Sequence, residues 1–168
     1  MNKITEALSV AKSAHKGQRY GNADYMVHIN MVVIIALHLE YDEDIIIGCA
    51  LHDTLEDTDL QFQQIVDLFG KPVADMVESV TDETGNNRLE SKRKTYPKIR
   101  LSWKAIVVKL IDKTVNVLYS ITTNQEKLAM YLDEHDEFVA ELYNPSHPNQ
   151  DAWQIYHKAI DQAKEFYQ

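Results

Sequence analysis

The amino-acid sequence predicts an all-α protein, because apolar residues recur at helical spacing along almost the whole chain. The first helix shows the pattern clearly, with its apolar face formed by Ile4, Ala7, Leu8, Ala11 and Ala14. One helical pattern follows another, and neither a repeat nor a low-complexity linker separates them. We therefore expect residues 1–168 to form a single compact multi-helix bundle with one core.

The second and third helices carry the most apolar residues of the chain. A polar loop, Gly17–Tyr25, precedes a helix that His28 opens and that continues to Leu39. The next helix, residues 43–53, is apolar nearly all round, which is typical of a central, buried helix. Its Ile45–Ile47 run could also form a strand, but the helical period continues after it, so we predict a helix.

Capping residues delimit the helices that follow. Thr58 or Asp59 is expected to cap a helix that Gly70 ends. Pro72 suits the first turn of the next helix, and Ser102 can cap a long helix further on.

The C-terminal half contains one expected break and two closing helices. Pro97 is expected to break or bend a charged helix, because proline lacks the amide hydrogen that a helix interior needs. Residues 125–167 are predicted to form two helices, at roughly 125–143 and 150–167, and they carry no motif that indicates chemistry.

Charge and composition exclude several classes of function. The net charge of −9 argues against broad binding to nucleic acid or to an anionic membrane. A small anionic substrate stays compatible with it, because salt screens exposed charges beyond about 8 Å. No stretch approaches the roughly 18 to 20 apolar residues that span a bilayer, and the N-terminus lacks a signal-peptide pattern. The lone Cys49 cannot form an internal disulfide, so we expect a cytoplasmic protein, with a homo-oligomer left open.

Polar residues inside apolar helices indicate a metal site. Asp112 lies within an apolar helical stripe, and His52 and Asp53 end the most apolar helix. Burying such groups is costly unless they are paired or bind a metal. We therefore interpret them, together with His28, as facing ligands of one divalent ion such as manganese, iron or zinc. Two histidines and two aspartates leave positions open for water and substrate.

Two structural alternatives accompany this interpretation. Asp112 could instead form an ion pair with Lys109 or Lys113. Glu56 and Asp57 follow Asp53 by three and four residues, and beside a metal they suit proton transfer or the orientation of water. Taken alone, they could equally belong to a solvated acidic turn that caps the next helix.

At these residues the sequence resembles the HD superfamily of metal-dependent phosphohydrolases. The resemblance is closer to the hydrolase domain of the RelA/SpoT family and its stand-alone members, the small alarmone hydrolases. The matching segments, in their family order, are AHKGQ from Ala14, RYGNADYMVH from Arg19, LHDTLEDT from Leu51, FGKPVADMVESVT from Phe69 and VKLIDKTVN from Val108. Together they cover roughly residues 5 to 120, and the combination is far more specific than a lone His-Asp pair.

The resemblance implies a reaction and the residues that perform it. The fold would be an HD-domain bundle. Relatives remove the 3′-pyrophosphate of guanosine tetra- or pentaphosphate, giving GDP or GTP and pyrophosphate, with Mn²⁺ as the usual single divalent metal. The implied metal ligands are His28, His52, Asp53 and Asp112. Glu56 and Asp57 match the acidic pair that positions or activates the attacking water.

The resemblance also implies a set of substrate-binding residues. Arg19 matches a cation near the nucleotide, and Asn116 matches an asparagine that faces it. A basic stretch of the small hydrolases corresponds to ESKRK, from which Lys92, Arg93 or Lys94 is expected to reach a phosphate.

The chain departs from the family pattern at several positions, and these departures leave other substrates open. They are Tyr20 in place of a common lysine, Ile29 in place of a proline, Ile111 in place of an alanine, Val115 in place of His or Tyr, and Leu118 in place of an arginine. We expect several of them at the wall that holds base and ribose. The alternatives are an HD-type hydrolase of an adenosine alarmone or a nucleoside monophosphate, and a non-catalytic nucleotide-binding or regulatory relative.

Overall fold

The protein is built from helices and one very short hairpin. The computed structural model describes residues 2–167. The helices are α1 Lys3–Ala14, α2 Met26–His38, α3 Glu43–Leu51, α4 Thr54–Asp57, α5 Phe62–Phe69, α6 Lys71–Val80, α7 Arg88–Arg100, α8 Trp103–Thr123, α9 Gln125–Asp133, α10 His135–Leu142 and α11 Gln150–Tyr167. The predicted all-α class is therefore confirmed.

The segment predicted as a polar loop contains a small antiparallel hairpin. Its strands are β1, Arg19–Tyr20, and β2, Ala23–Asp24, with Tyr20 paired to Ala23. Gly21 in the turn has a φ of +58°, a conformation that costs glycine little. Two-residue strands leave no room for an alternating pattern, which is why the sequence predicts only a loop.

Helices α3 and α8 form the centre of the bundle. Every residue of α3 from Ile45 to Leu51 is buried, as its all-round apolar surface predicts. Helix α8 has 21 residues and packs against α2, α3, α6, α7, α9 and α11. The Ile45–Ile47 run is therefore helical rather than a strand.

The predicted start of α5 is wrong by several residues. Neither Thr58 nor Asp59 caps it, because Thr58 donates its hydroxyl hydrogen to the Thr54 carbonyl and so closes α4. Gln61 instead precedes α5 as its N-cap residue, and its backbone amide donates to Gln64 Oε1 at 2.8 Å. The predicted end of α5 at Gly70 is confirmed, with a φ of +91° at that residue.

Two further predictions about helix ends need correction. Pro97 lies inside α7, which continues to Arg100, because Tyr96 and Ile99 on either side of it are buried in the core. The single helix expected at 125–143 is two helices, α9 and α10, that meet at Glu134. By contrast, Ser102 caps α8 as predicted, accepting a hydrogen bond from the Ala105 amide at 3.4 Å.

Glu134 connects α7 and α8 to the C-terminal helices. Its carboxylate lies 2.5 Å from Arg88 Nε and 2.9 Å from Lys113 Nζ, and its side chain is 14% exposed. Burial opposes the charged form, but the two cations outweigh it and lower the pKa of Glu134 from 4.5 to about 2.

Among residues 2–167, no helix combines the length and apolarity needed to cross a membrane.

We expect Glu134→Gln to lower the free energy of unfolding by about 2 kcal/mol at pH 7. A lowered pKa stabilises the folded state above the ordinary value of 4.5, and that contribution disappears as the pH falls towards about 2. The difference between variant and parent should therefore shrink from pH 5 to pH 2 in chemical denaturation. The exposed Glu165→Gln is the control, and a pH-independent loss in Glu134→Gln would contradict the assignment.

Candidate metal centre and its cavity

Four polar side chains from α2, the junction of α3 and α4, and α8 meet in the interior of the bundle. His28 lies in the first turn of α2, His52 ends α3, Asp53 precedes α4, and Asp112 lies in the middle of α8. One atom each of His28, His52 and Asp53 falls within 4.8 Å of the others. Asp112 Oδ1 lies 3.3 Å from His28 Nε2 and 3.5 Å from His52 Nε2. The structure thus brings the four predicted ligands together.

Two carboxylates and two imidazoles this close together are stable only with positive charge between them. The Nε2 atoms of His28 and His52 are 3.1 Å apart, and Asp53 Oδ2 lies 2.9 Å from His52 Nε2. Burial disfavours protonated imidazole, yet the carboxylates of Asp53 and Asp112 outweigh it and raise the pKa of His52. A divalent cation satisfies the same two nitrogens and two carboxylates without protons, so the donor set fits a borderline divalent metal.

Surrounding groups fix the orientation of the ligands. His52 Nδ1 lies 2.9 Å from the Cys49 carbonyl, which therefore accepts its hydrogen and directs Nε2 to the centre. Tyr25 donates its hydroxyl hydrogen to Asp53 Oδ2 at 2.7 Å. Burial and the charge of Asp53 raise the pKa of Tyr25, so the hydroxyl keeps its proton and acts as a donor.

Asp112 forms both the predicted ligand contacts and an ion pair. Its Oδ2 lies 3.4 Å from Lys109 Nζ, whereas Oδ1 faces the two imidazoles. Lys113 instead pairs with Glu134. The ion-pair alternative and the ligand interpretation are therefore compatible, since they use different oxygens of the carboxylate.

Glu56 and Asp57 lie beside the cluster on α4 and line the same cavity. Glu56 Oε2 accepts a hydrogen bond from the Asp82 amide at 3.0 Å. Burial raises the pKa of Glu56, and burial together with the charge of Asp53 raises that of Asp57. A carboxylate with a raised pKa is a better proton acceptor, so the position and basicity of both residues are compatible with acid–base chemistry.

A cavity of about 240 Å³ extends from the cluster towards α7 and α9. Four cations also line this cavity, namely Arg88, Lys92, Lys113 and Lys109, the last of which lies beside Asp112. Lys92 was predicted; Arg88 and the two lysines of α8 were not. A signal for them exists in the sequence, since Arg88 and Lys92 are four residues apart on one helix face and the two lysines flank Asp112.

Three predicted substrate-binding residues are not brought to this cavity. Arg19 is exposed and donates to the Asn22 carbonyl in its own hairpin. Arg93 Nε lies 2.6 Å from Glu137, and Lys94 Nζ lies 2.7 Å from Glu90, both on the surface. Asn116, in contrast, lines the cavity and donates to Asp112 Oδ1 at 2.5 Å.

The departures from the family pattern lie mostly in the core rather than at a ligand wall. Ile29, Ile111 and Val115 are at most 1% exposed and pack in the hydrophobic core. Leu118 is partly buried against that core. Of these five residues, Tyr20 places its side chain against residues that line the cavity, since it donates to Asn116 and its ring lies 4.7 Å from that of His28.

Comparison with known proteins agrees with this geometry. The family model for the HD domain matches residues 7–142. A guanosine-3′,5′-bis(diphosphate) 3′-pyrophosphohydrolase of Aquifex aeolicus is 31% identical over 95% of this chain and 23% of its own length. The pyrophosphohydrolase MESH1 of Danio rerio is 32% identical over 68% of this chain and 67% of its own.

The chain spans 18% to 23% of the long bacterial relatives, such as the Aquifex protein and the bifunctional (p)ppGpp synthase/hydrolase SpoT of Escherichia coli. Among solved structures, a metazoan ortholog of SpoT described as hydrolysing ppGpp superposes with a TM-score of 0.81 at 27% identity, covering 96% of both chains. Sequence and fold agree, and this chain belongs to the HD-domain family of phosphohydrolases.

Proposed function

We propose that this protein removes the 3′-pyrophosphate of guanosine tetra- or pentaphosphate, giving GDP or GTP and pyrophosphate. The observation that carries the proposal is one cavity lined by the His-Asp cluster, the acidic pair and four cations, of which Lys109 lies beside Asp112. Such a cavity suits a polyanion that is cut by water beside a metal. The names of the MESH1 relatives and the solved SpoT ortholog support this substrate class.

His28, His52, Asp53 and Asp112 would hold one divalent ion, for which we propose Mn²⁺. When bound there, such an ion lowers the pKa of a coordinated water and draws charge from a phosphoryl oxygen. Asp53 is kept in place by Tyr25, and Asp112 by Asn116 and Lys109. These contacts keep the carboxylates ionised and correctly aimed before substrate arrives.

Glu56 and Asp57 would orient the attacking water and accept its proton. Both carboxylates border the cavity next to Asp53, and both have raised pKa values. Glu56 is oriented by the Asp82 amide, which donates to one of its oxygens and leaves the other free to accept a proton from water. We infer that Glu56 is the proton acceptor and that Asp57, near Tyr25, assists in orienting the water.

The cations that line the cavity would hold the phosphates of the substrate. Arg88, Lys92 and Lys113 share two carboxylates, those of Asp82 and Glu134, so positive charge is in excess around them. Lys92 is 9% exposed, and burial lowers its pKa because the charged form is poorly solvated. An incoming phosphate would restore that solvation and stabilise negative charge as it develops on the leaving pyrophosphate.

The setting of this activity is also a proposal. We place it in the cytoplasm, in keeping with a single, buried cysteine. We propose that residues 1–168 act as one domain, alone or as a homo-oligomer, without nucleic acid or membrane.

Asp53→Ala is expected to abolish Mn²⁺ binding and turnover together. The parent should bind one Mn²⁺ in isothermal titration calorimetry and gain thermal stability from it, since a ligand that binds only the folded state stabilises that state. The nearby exposed Asp59→Ala is the matched control and should behave as the parent. Binding of Mn²⁺ by folded Asp53→Ala with parental affinity would contradict the ligand assignment.

Glu56→Gln should retain the metal but reduce kcat by about 100-fold or more, because the amide cannot accept the proton. The assay follows GDP and pyrophosphate released from guanosine tetraphosphate with Mn²⁺, and chelator should stop it in the parent. The exposed Glu78→Gln serves as control. Parental kcat in Glu56→Gln would refute its role, and no turnover by the metal-loaded parent would refute the proposed substrate.

Lys92→Met is expected to lower kcat/KM for guanosine tetraphosphate by about 10 to 100-fold, the usual effect of losing one charged hydrogen bond to phosphate. The adjacent Arg93→Met is a stringent control, because Arg93 lies on the surface beside Glu137. It should stay within about threefold of the parent. The reverse order of the two effects would show that the phosphates bind outside this cavity.

A further inference from the structure

Tyr20 occupies an unusual place next to the candidate metal centre. Its ring lies between His28, with 4.7 Å between ring centroids, and Tyr119, at 4.2 Å. The hairpin that carries Tyr20 is fixed, since Tyr119 donates its hydroxyl hydrogen to the Tyr20 carbonyl at 3.1 Å. A side chain at the neighbouring Gly21 would place its Cβ 2.6 Å from the Tyr119 hydroxyl, so glycine permits this close approach.

A chain of hydrogen bonds links the Tyr20 hydroxyl to a ligand carboxylate. Tyr20 donates to Asn116 Oδ1 at 3.0 Å, and Asn116 Nδ2 donates to Asp112 Oδ1 at 2.5 Å. The ionised carboxylate of Asp112 only accepts hydrogen bonds, so the amide must present its nitrogen to it. Its oxygen then faces Tyr20, whose hydroxyl donor prevents the amide from turning over.

The ring of Tyr20 provides a second constraint, on His28. A metal-binding histidine normally donates its other ring nitrogen to a fixed acceptor, as His52 does to the Cys49 carbonyl. Within residues 2–167, the buried Nδ1 of His28 has no hydrogen-bond partner. The orientation of the His28 ring therefore depends on its packing against two other rings, those of Tyr20 and Tyr25. The ring centroids of His28 and Tyr25 are 5.7 Å apart.

We propose that Tyr20 is a positioning residue of the metal centre, acting on Asp112 through Asn116 and on His28 by direct contact between the two rings. The inference rests on the proposed metal site and adds a residue outside the ligand set. Lysine is common at this position in the family that the sequence resembles. A lysine could donate to Asn116 but could not present a flat face to His28, so the tyrosine gives this chain a more rigid metal centre.

The two contributions are separable with two substitutions. Tyr20→Phe keeps the ring and removes the hydroxyl, whereas Tyr20→Leu removes both. The dissociation constant of Mn²⁺ is measured without nucleotide, by calorimetry and by the electron paramagnetic resonance spectrum of the bound ion. We expect about 10-fold weaker binding for Tyr20→Phe and up to about 100-fold for Tyr20→Leu, the range for loss of partners that orient metal ligands.

A double-mutant cycle tests the route through Asn116. Asn116→Ala should weaken Mn²⁺ binding about 10-fold, and adding Tyr20→Phe to it should cost less than a further twofold, because the link is already broken. Adding Tyr20→Leu should still weaken binding, since the His28 contact is lost as well. Tyr143→Phe, on the exposed side of Trp153, is the matched control and should bind Mn²⁺ as the parent does.

The outcomes separate this inference from the proposed function. Tyr20→Phe within twofold of the parent, or effects of Tyr20→Phe and Asn116→Ala that simply multiply, would overturn the positioning role while the metal centre stands. A folded parent that binds no Mn²⁺ would overturn the metal centre and this inference with it. Melting temperatures in chelator show whether each variant is folded, and comparable values exclude a purely structural effect.

Discussion

The structure depends on one physical constraint, the burial of two imidazoles and two carboxylates in a helical core. His28 and His52 are 1% and 2% exposed, and Asp112 is 7% exposed. Burying such groups in an apolar interior costs free energy unless they bind a common cation. The bundle supplies each ligand from a different helix end or face, so the packing of α2, α3 and α8 sets the geometry of the site. The same helix packing therefore determines both the stability of the core and the geometry of the cavity.

The break between α3 and α4 is where the fold creates the site. Helix α3 is buried on all sides, and it ends where His52 and Asp53 follow Leu51. The hydroxyl of Thr54 donates to the Leu51 carbonyl at 2.7 Å, which satisfies one carbonyl at the end of the helix. The short α4 then turns Glu56 and Asp57 towards the same cavity. One local change in chain direction thus delivers two ligands and the acidic pair.

Much of this was predictable, for reasons that differ from one residue to the next. Asp112 was conspicuous because a charged residue interrupts an apolar stripe, and burial of that stripe is a robust consequence of helical periodicity. Arg88 and Lys113 gave a weaker signal, since cations on helices are usually solvated and only the tertiary fold brings these two to the Glu134 carboxylate. The predicted start of α5 was wrong because several residues in the 58–61 segment can cap a helix, and in the structure the N-cap residue is Gln61. Arg19 was predicted to bind the nucleotide from the family resemblance alone. Its contact with Asn22 depends on a hairpin that is too short to leave a pattern in the sequence.

The charge distribution explains how an acidic protein can favour a polyanion. The net charge is −9, yet Arg88, Lys92, Lys109 and Lys113 line a single cavity. Surface carboxylates are screened by salt within about 8 Å, whereas charges inside the cavity act through a medium of lower dielectric constant. In the proposed function, the cations that line the cavity attract the phosphates of the substrate, and we expect the surrounding acidity to disfavour large polyanions such as nucleic acids. On that proposal, selectivity for a small phosphorylated ligand follows from the placement of charge rather than from its total.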